Sequence, residues 1–253
     1  MNKIALITGA TAGIGEATAI ILAENSYDVI ITGRRKERLE NLKQKIENQT
    51  NSKVYSLCFD IRKNSEVISA IDSLPESWKN IDILVNNAGL ASGLEPIQEG
   101  QIDDWEKMID TNIKGLLYIT RKVSPNMIKR RKGHIINIGS IAGKEVYPDG
   151  NIYCCTKHAV NALTKSMRID MLPHNIRVSQ VAPGMVETEF SEVRFHGDKK
   201  RAEEVYNKIT PLKSEDVADA ILYVATRPAH INIDDILIMP ATQASTRDII
   251  RND

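Results

Sequence analysis

The chain has 253 residues, of which 42% are hydrophobic, 26% charged and 5% aromatic. This balance is ordinary for a globular protein and excludes a disordered chain, a coiled coil and a collagen-like repeat. Lysine plus arginine equals aspartate plus glutamate at 33 each, so the net charge of zero gives no argument for nucleic acid or an anionic membrane as a partner. No apolar run reaches the roughly 18 residues of a membrane span, and the chain enters a strand-like run at Ile4 with no signal peptide before it. We therefore expect a cytoplasmic protein whose three cysteines are reduced.

Short β-branched runs alternate with longer amphipathic stretches along the chain. The runs are continuously apolar, which is typical of parallel strands buried on both faces. They predict strands at 4–8, 29–32, 54–60, 83–86, 135–138, 178–181 and 236–239. The stretches between them predict helices at 14–24, 36–48, 64–73, 103–130, 151–171 and 214–226. This alternation predicts an α/β fold, a Rossmann-type doubly wound parallel sheet of about seven strands with helices on both faces.

The chain contains no repeat or linker that would divide it, so residues 1–253 are predicted to form a single domain. Residues 183–213, after the sixth strand, are too long for a simple connector. Ligands of such sheets bind beyond the carboxyl ends of the strands, so this segment is a candidate substrate lid. The tail at 241–253 has no place in the alternation, and it could reach a neighbouring subunit.

A glycine-rich turn joins the first predicted strand to the first helix, with the sequence Thr8-Gly-Ala-Thr-Ala-Gly-Ile-Gly15. Glycines at this junction permit a tight turn and let a pyrophosphate approach the backbone. The helix N-terminus that follows supplies N–H groups and the positive end of a dipole. The turn therefore predicts a nucleotide site made by Gly9, Thr11, Ala12, Gly13, Ile14 and Gly15.

Tyr153 and Lys157 are four residues apart in a predicted helix, so their side chains lie on one face and can share a ligand. A phenol has a pKa of about 10 and is a poor base at neutral pH, but a nearby ammonium group favours the phenolate. Ser140 ends the fifth predicted strand at the edge of the same crevice, where its hydroxyl could hold a carbonyl or alcohol oxygen. Together these residues indicate acid–base chemistry on an oxygen-bearing carbon.

The end of the second predicted strand bears on the choice of cofactor. Enzymes that use NAD usually place an acidic residue there, which binds the ribose 2′-hydroxyl. This chain has Gly33 followed by Arg34 and Arg35. A guanidinium group can bind a 2′-phosphate in bidentate fashion, whereas a carboxylate would repel it, so these arginines predict NADP as the cofactor.

Three motifs in order make the chain resemble the short-chain dehydrogenase/reductase family. They are the glycine turn with G-x-x-x-G-x-G spacing, Asn86-Asn-Ala-Gly89 after the fourth strand, and Tyr153-x-x-x-Lys157. The resemblance runs from residue 3 to about 240. Three further stretches resemble the bacterial NADP-dependent 3-hydroxy acid dehydrogenases, which oxidise serine, allo-threonine and similar compounds: residues 32–35, 108–112, and 189–191 with 194–195.

This resemblance implies roles for individual residues. Tyr153 would be the acid–base group, Lys157 would lower its pKa and bind the nicotinamide ribose, Ser140 would orient the substrate, and Asn112 would hold a water in a proton relay. Asp60 and Ile61 would flank the adenine. The rest of the cofactor would meet Asn86, Asn87, Ala88, Gly89, Pro183, Gly184, Val186 and Thr188. The family commonly forms homotetramers through its long fourth and fifth crossover helices.

A 3-hydroxy acid requires a cation for its carboxylate, because a buried unpaired charge is costly. The lid offers Arg194, which lies between Val193 and Phe195 and whose planar fork matches a carboxylate. A surface arginine on a mobile loop is the alternative interpretation. The sequence thus predicts an NADP-dependent oxidoreductase acting on a small hydroxy acid or carbonyl compound.

Two other functions fit the same pattern. One is a broad-specificity carbonyl reductase acting on neutral aldehydes and ketones, and the other is a non-catalytic NADP-binding sensor. The intact set Asn112, Ser140, Tyr153 and Lys157 argues against a sensor, which needs no acid–base pair. No metal site is expected, because the histidines and cysteines have no ligand spacing.

Overall fold

A computed structural model describes residues 2–251 and contains one parallel sheet in the order β3-β2-β1-β4-β5-β6-β7. The strands are β1 Lys3–Ile7, β2 Tyr27–Gly33, β3 Val54–Cys58, β4 Ile81–Asn86, β5 Gly133–Ile138, β6 Ile176–Pro183 and β7 Asp235–Ile238. All seven predicted strands are present, with ends displaced by one to a few residues. The predicted α/β class and doubly wound topology are confirmed.

Helices connect consecutive strands and cover both faces of the sheet. They are α1 Gly13–Glu24, α2 Lys36–Gln49, α3 Asn64–Asp72, α4 Ile102–Ile109, α5 Leu116–Arg130, α6 Asn151–Met171, α7 Phe190–Arg194, α8 Lys199–Tyr206 and α9 Ser214–Thr226. Segment 183–213 contains α7 and α8. Within residues 2–251, no helix is both long and apolar enough to cross a membrane.

The strands alternate their side chains between two cores, one on each face of the sheet. In β1, Ala5 and Ile7 pack on the face covered by α1, α2 and α9, while Ile4 and Leu6 pack on the face covered by α3, α5 and α6. Both sets are almost fully buried. The continuous apolar run in each strand is therefore a consequence of burial on both faces.

The strand order changes direction at β1: β2 and β3 lie on one side of it, and β4 to β7 lie on the other. Strand β1 pairs with β2 on one side and with β4 on the other, so the loops that leave β1 and β4 diverge to opposite faces and open a crevice. Such a switch point is where open α/β sheets bind ligands.

The prediction of one regular helix at 103–130 is wrong. The chain forms α4, then a π-helical stretch at Asp110–Gly115, then α5. The stretch carries Asn112, whose side chain bonds both backbone groups of Leu90: Nδ2 donates to the carbonyl at 2.8 Å and Oδ1 accepts from the amide at 2.9 Å. The wide turn directs Asn112 inward, and π-bulges are common at functional sites.

Candidate active site

A cavity of about 360 Å³ lies at the switch point, beyond the carboxyl ends of the strands. Most of the predicted cofactor residues line it, together with Ser140, Tyr153 and Lys157. Of the cofactor residues named from the sequence, Gly15 and Asn86 do not line the cavity. Topology thus brings side chains from distant parts of the chain to one site.

Gly15 and Asn86, the two residues that do not line the cavity, contact neighbouring parts of the chain instead. A Cβ on Gly15 would lie 2.4 Å from the carbonyl oxygen of Gly9, so glycine lets α1 begin close against the turn. The Asn86 amide donates to the hydroxyl of Thr120 and to the side-chain oxygen of Asn137. Asn86 therefore joins β4 to its neighbours and does not itself line the cavity.

Close backbone approach explains the glycines of the turn. Gly9 and Gly13 have φ values of +66° and +57°, which a residue with a side chain rarely adopts. A Cβ on Gly9 would lie 2.9 Å from the Cα of Ala88 in the loop after β4. Asn87 stabilises the contact between these two loops, because its side-chain amide donates to the carbonyl of Thr8 at 2.8 Å. The two loops of the switch point therefore form one wall.

Ser140, Tyr153 and Lys157 converge at the inner end of the cavity. The Lys157 Nζ lies 5.9 Å from the centre of the Tyr153 ring and donates a 2.9 Å hydrogen bond to the carbonyl oxygen of Ile138. The Ser140 hydroxyl accepts from the amide of Ala142 at 3.1 Å, which directs it toward the crevice. Tyr153 and Lys157 are both more than nine-tenths buried.

Burial shifts both groups toward their neutral forms. It raises the pKa of the Tyr153 phenol well above its usual value, and the nearby Tyr147 adds to this, while a hydrogen bond with Ser140 and the charge of Arg194 oppose it. Burial lowers the pKa of Lys157 to about 8. Desolvation is thus the largest influence on the Tyr153 pKa in this pocket, where the ammonium group of Lys157 lies 5.9 Å from the ring centre.

Asn112 does not line the cavity and lies next to α6, which carries Tyr153 and Lys157. Both of its side-chain N–H groups are used, one by the carbonyl of Leu90 and one by the hydroxyl of Thr156 at 3.0 Å. Its Oδ1 accepts from the Leu90 amide and keeps one free lone pair. The side chain therefore anchors the loop after β4, and only that lone pair is available to a water.

Arg34 and Arg35 occupy different environments. Arg34 lines the cavity, and its guanidinium group has no hydrogen-bond or ion-pair partner within residues 2–251. The guanidinium group of Arg35 donates to the hydroxyl of Thr11 at 2.9 Å and to Glu189 at 2.9 Å. Arg34 is thus free to bind a phosphate, whereas Arg35 is already paired.

Arg194 lies at the substrate end, where α7 meets the loop after β4. Its Nη2 donates a 2.9 Å hydrogen bond to the hydroxyl of Tyr147, and its Nε donates to the carbonyl of Gly93 at 3.2 Å. Phe190, also in α7, packs edge-on against the Tyr153 ring with 5.5 Å between centroids. Arg194 is therefore half-buried and held by Gly93 and Tyr147, although it is not itself among the residues that line the cavity.

Sequence reasoning missed Tyr147 and did not assign Phe190 or Glu189 a contact. Tyr147 precedes the turn Pro148-Asp-Gly150 by one position and has no motif of its own. Its only sequence signal is a position six residues before Tyr153. In the part of the chain that the structure describes, no cluster of three or more His, Cys, Asp or Glu side chains that could hold a metal ion occurs.

Comparison with known proteins agrees with this geometry. The family model described as short chain dehydrogenase matches residues 3–199. The NADP-dependent 3-hydroxy acid dehydrogenase YdfG of Salmonella typhi is 48% identical over 242 residues, which are 95% of this chain and 96% of that protein. Sulfoacetaldehyde reductase 2 of Chromohalobacter salexigens is 44% identical over 245 residues, 96% of each chain.

A solved structure is similar over nearly the whole chain. The closed form of serine dehydrogenase complexed with NADP+ superimposes with a TM-score of 0.93 at 45% identity and covers 99% of this chain and 100% of that one. A second, serine dehydrogenase from Escherichia coli, has a TM-score of 0.83 at 42% identity and covers 95% of this chain and 99% of that one. The extent of the family match, together with the cavity and its side chains, leads to one conclusion: the chain belongs to the short-chain dehydrogenase family.

Proposed function

We propose that the protein is an NADP-dependent dehydrogenase acting on 3-hydroxy acids such as L-serine, L-allo-threonine and 3-hydroxypropionate. One observation carries the substrate class: the guanidinium group of Arg194 lies over the ring of Tyr153, at 5.6 Å. A cation at that position can bind the carboxylate of a substrate whose hydroxyl group reaches the phenol. The names of the relatives, a 3-hydroxy acid dehydrogenase and a serine dehydrogenase, support the same class.

The cavity fits NADP. Gly9 and Gly13, both with positive φ, line the cavity, and α1 begins at Gly13, so the positive end of its dipole lies beside the cavity. Arg34 supplies an unpaired guanidinium group for the 2′-phosphate within the part of the chain described. The cofactor, when bound, supplies the acceptor of the hydride. Asp60 and Ile61 on one side, and Pro183, Gly184, Val186 and Thr188 on the other, line the remaining length.

Side chains of the protein transfer the proton and orient the substrate. Ser140 and Tyr153 hold the substrate oxygen between their hydroxyl groups. In oxidation Tyr153 takes the hydroxyl proton as a phenolate, and in reduction it returns the proton to the carbonyl oxygen. Because burial keeps the phenol neutral, oxidation requires cations that favour the phenolate, and Lys157 and Arg194 are the cations near its ring.

A spectroscopic screen tests this function. The wild-type protein is mixed with NADP or NAD and with hydroxy acids or neutral alcohols, and formation of reduced nicotinamide is followed by its absorbance band. The proposal expects turnover with hydroxy acids and a preference for NADP. Faster turnover of neutral ketones and alcohols would favour a carbonyl reductase. Cofactor binding without turnover of any compound would favour a sensor.

We further propose a cytoplasmic homotetramer in which segment 183–213 acts as a lid. Exposed apolar side chains on the long crossover helices support the tetramer, among them Leu117 at 38%, Ile169 at 73% and, just after α6, Leu172 at 75% exposed. The tail holds the lid of its own chain, since the Gln243 side chain accepts a 2.9 Å hydrogen bond from the amide of Met185. Light scattering coupled to size-exclusion chromatography measures the oligomeric state directly.

A further inference from the structure

The carboxylate of Glu189 links the segment after β6 to the start of α2 at the cavity. Glu189 precedes α7, in the segment after β6, and accepts from Arg35 at 2.9 Å through Oε2 and from Arg38 at 2.6 Å through Oε1. Both arginines lie near the start of α2, after β2. Because each carboxylate oxygen has its own guanidinium partner, the Glu189 side chain occupies two cations at once. These two contacts hold the pKa of Glu189 below its usual value.

The paired arginines adjoin the glycine turn. Arg35 donates to the hydroxyl oxygen of Thr11 through both Nε and Nη2, and Arg38 reaches the carbonyl of the same residue at 3.5 Å. Thr11, Arg35 and Glu189 line the cavity together with Arg34. The Glu189 carboxylate therefore lies at the end of the cavity where an anionic group of the cofactor would need these cations.

We propose that Glu189 is a specificity-determining residue, an internal anion that occupies Arg35 and Arg38 until the 2′-phosphate of NADP displaces it. The inference rests on the proposed use of NADP. A guanidinium fork fits a carboxylate and a phosphate oxygen pair equally well, and the phosphate carries more charge. Arg34, unpaired in residues 2–251, offers the phosphate its first contact. A neutral 2′-hydroxyl cannot replace a carboxylate on two arginines, so NAD leaves the pairs intact.

The ion pairs of Glu189 with Arg35 and Arg38 are weak enough for a 2′-phosphate to replace the carboxylate. Arg35 and Glu189 are each 43% exposed and Arg38 is 46% exposed, so water screens both ion pairs. Exposed pairs are individually weak. Removing the competing carboxylate should therefore tighten binding of a 2′-phosphate by about three- to tenfold.

Two adenosine nucleotides test the proposal without any turnover. Adenosine 2′,5′-bisphosphate carries the 2′-phosphate, and adenosine 5′-monophosphate lacks it. Calorimetric titration of the wild type and of Glu189→Gln should show tighter binding of the bisphosphate in the variant and unchanged binding of the monophosphate. Glu189→Ala should behave in the same way. Thermal melting of each variant checks that the fold is retained.

Glu192→Gln is the matched control, because it removes one negative charge from α7 at a carboxylate that has no ion-pair partner among residues 2–251. It should leave both affinities unchanged. Weaker binding of both nucleotides by Glu189→Gln would mean that the ion pairs clasp the bound cofactor, and equal binding by variant and wild type would mean that they are only structural; either result overturns the proposal. If the wild type itself does not prefer the bisphosphate, the proposed use of NADP fails first.

Discussion

The guanidinium carbon of Arg194 lies 5.6 Å from the centre of the Tyr153 ring. Tyr147 holds it there through a 2.9 Å hydrogen bond to Nη2, and Nε is bonded to Gly93, so Nη1 has no acceptor among residues 2–251. A positive charge is thus fixed beside the proposed acid–base group with donor capacity to spare. The geometry suits a substrate that carries a negative charge near its reactive hydroxyl group.

Replacing Arg194 by alanine should raise the KM for L-serine or 3-hydroxypropionate by about tenfold or more, because one charge-assisted contact is lost. Turnover of an uncharged ketone should change little, since that substrate has nothing to bind the guanidinium group. Steady-state kinetics on both substrates check this. Arg201→Ala, in α8 of the same segment, is the control. An equal loss on charged and neutral substrates would indicate a damaged lid.

Replacing Arg34 by alanine should weaken NADPH binding more than NADH binding. The loss of one charge-assisted contact corresponds to about 1.5–3 kcal/mol, roughly one to two decades in affinity. Combining Gly33→Asp with Arg34→Ala should go further and favour NADH. Fluorescence titration with both cofactors measures the effect, with Arg121→Ala, an exposed position in α5, as control. Equal weakening of both cofactors would show that Arg34 does not contact the 2′-phosphate.

The sheet was predictable because burial on both faces leaves a continuous apolar run in each strand, and because the glycine turn marks the first crossover. The π-helical stretch was not predictable, since the hydrogen bonds that accompany it join Asn112 to Leu90, 22 residues away. The same limit applies to the electrostatics. Spacing places Tyr153 and Lys157 on one helix face, but only the packed structure reveals the burial that raises the Tyr153 pKa.

At both ends of the candidate site, side chains are held by residues that are distant in sequence. The basic run after β2 predicted arginines that bind a 2′-phosphate, but it gave no sign that Arg35 pairs with Glu189, 154 residues further along the chain. Tyr147 and Arg194 likewise meet only because the lid folds back over the loop before α6. No periodicity or spacing encodes such contacts, so the fold was accessible from sequence while the hydrogen-bond partners of the candidate site residues were not.

His134 should make the fold sensitive to acid. The side chain is 1% exposed, its Nε2 lies 2.8 Å from the Ser179 hydroxyl, and burial lowers its pKa to about 3. As the pH falls below about 6.5 the unfolded chain binds a proton that the folded chain cannot accept, so stability decreases until the pH reaches the folded pKa. Between pH 7 and 5 this residue should account for about 2 kcal/mol of lost unfolding free energy.

Substituting His134 by glutamine removes the titration and keeps a partner for Ser179. Urea unfolding at pH 7 and pH 5, at one protein concentration, should show a smaller acid-induced loss in this variant than in the wild type. His230→Gln, at an exposed position, should behave like the wild type. Identical pH dependence in His134→Gln and wild type would mean that His134 is not the group responsible.

Replacing Tyr153 by phenylalanine should lower kcat by at least about 100-fold, the lower range for general acid–base catalysis. The ring and its contact with Phe190 are preserved, so NADPH binding should be largely retained. Tyr223→Phe, at an exposed tyrosine in α9, serves as control. Turnover within a few-fold of wild type would remove Tyr153 from the proton transfer.

The most direct measurement compares two substrates that differ only in charge. With NADP as cofactor, kcat/KM of the wild-type protein is determined for 3-hydroxypropionate and for 3-hydroxypropanamide, in which an amide replaces the carboxylate. We expect kcat/KM for the acid to exceed that for the amide by about tenfold or more, the effect of one charge-assisted contact, and we expect Arg194→Ala to abolish the difference. A wild-type protein that oxidises the amide as efficiently as the acid would contradict the proposed recognition of the carboxylate by Arg194.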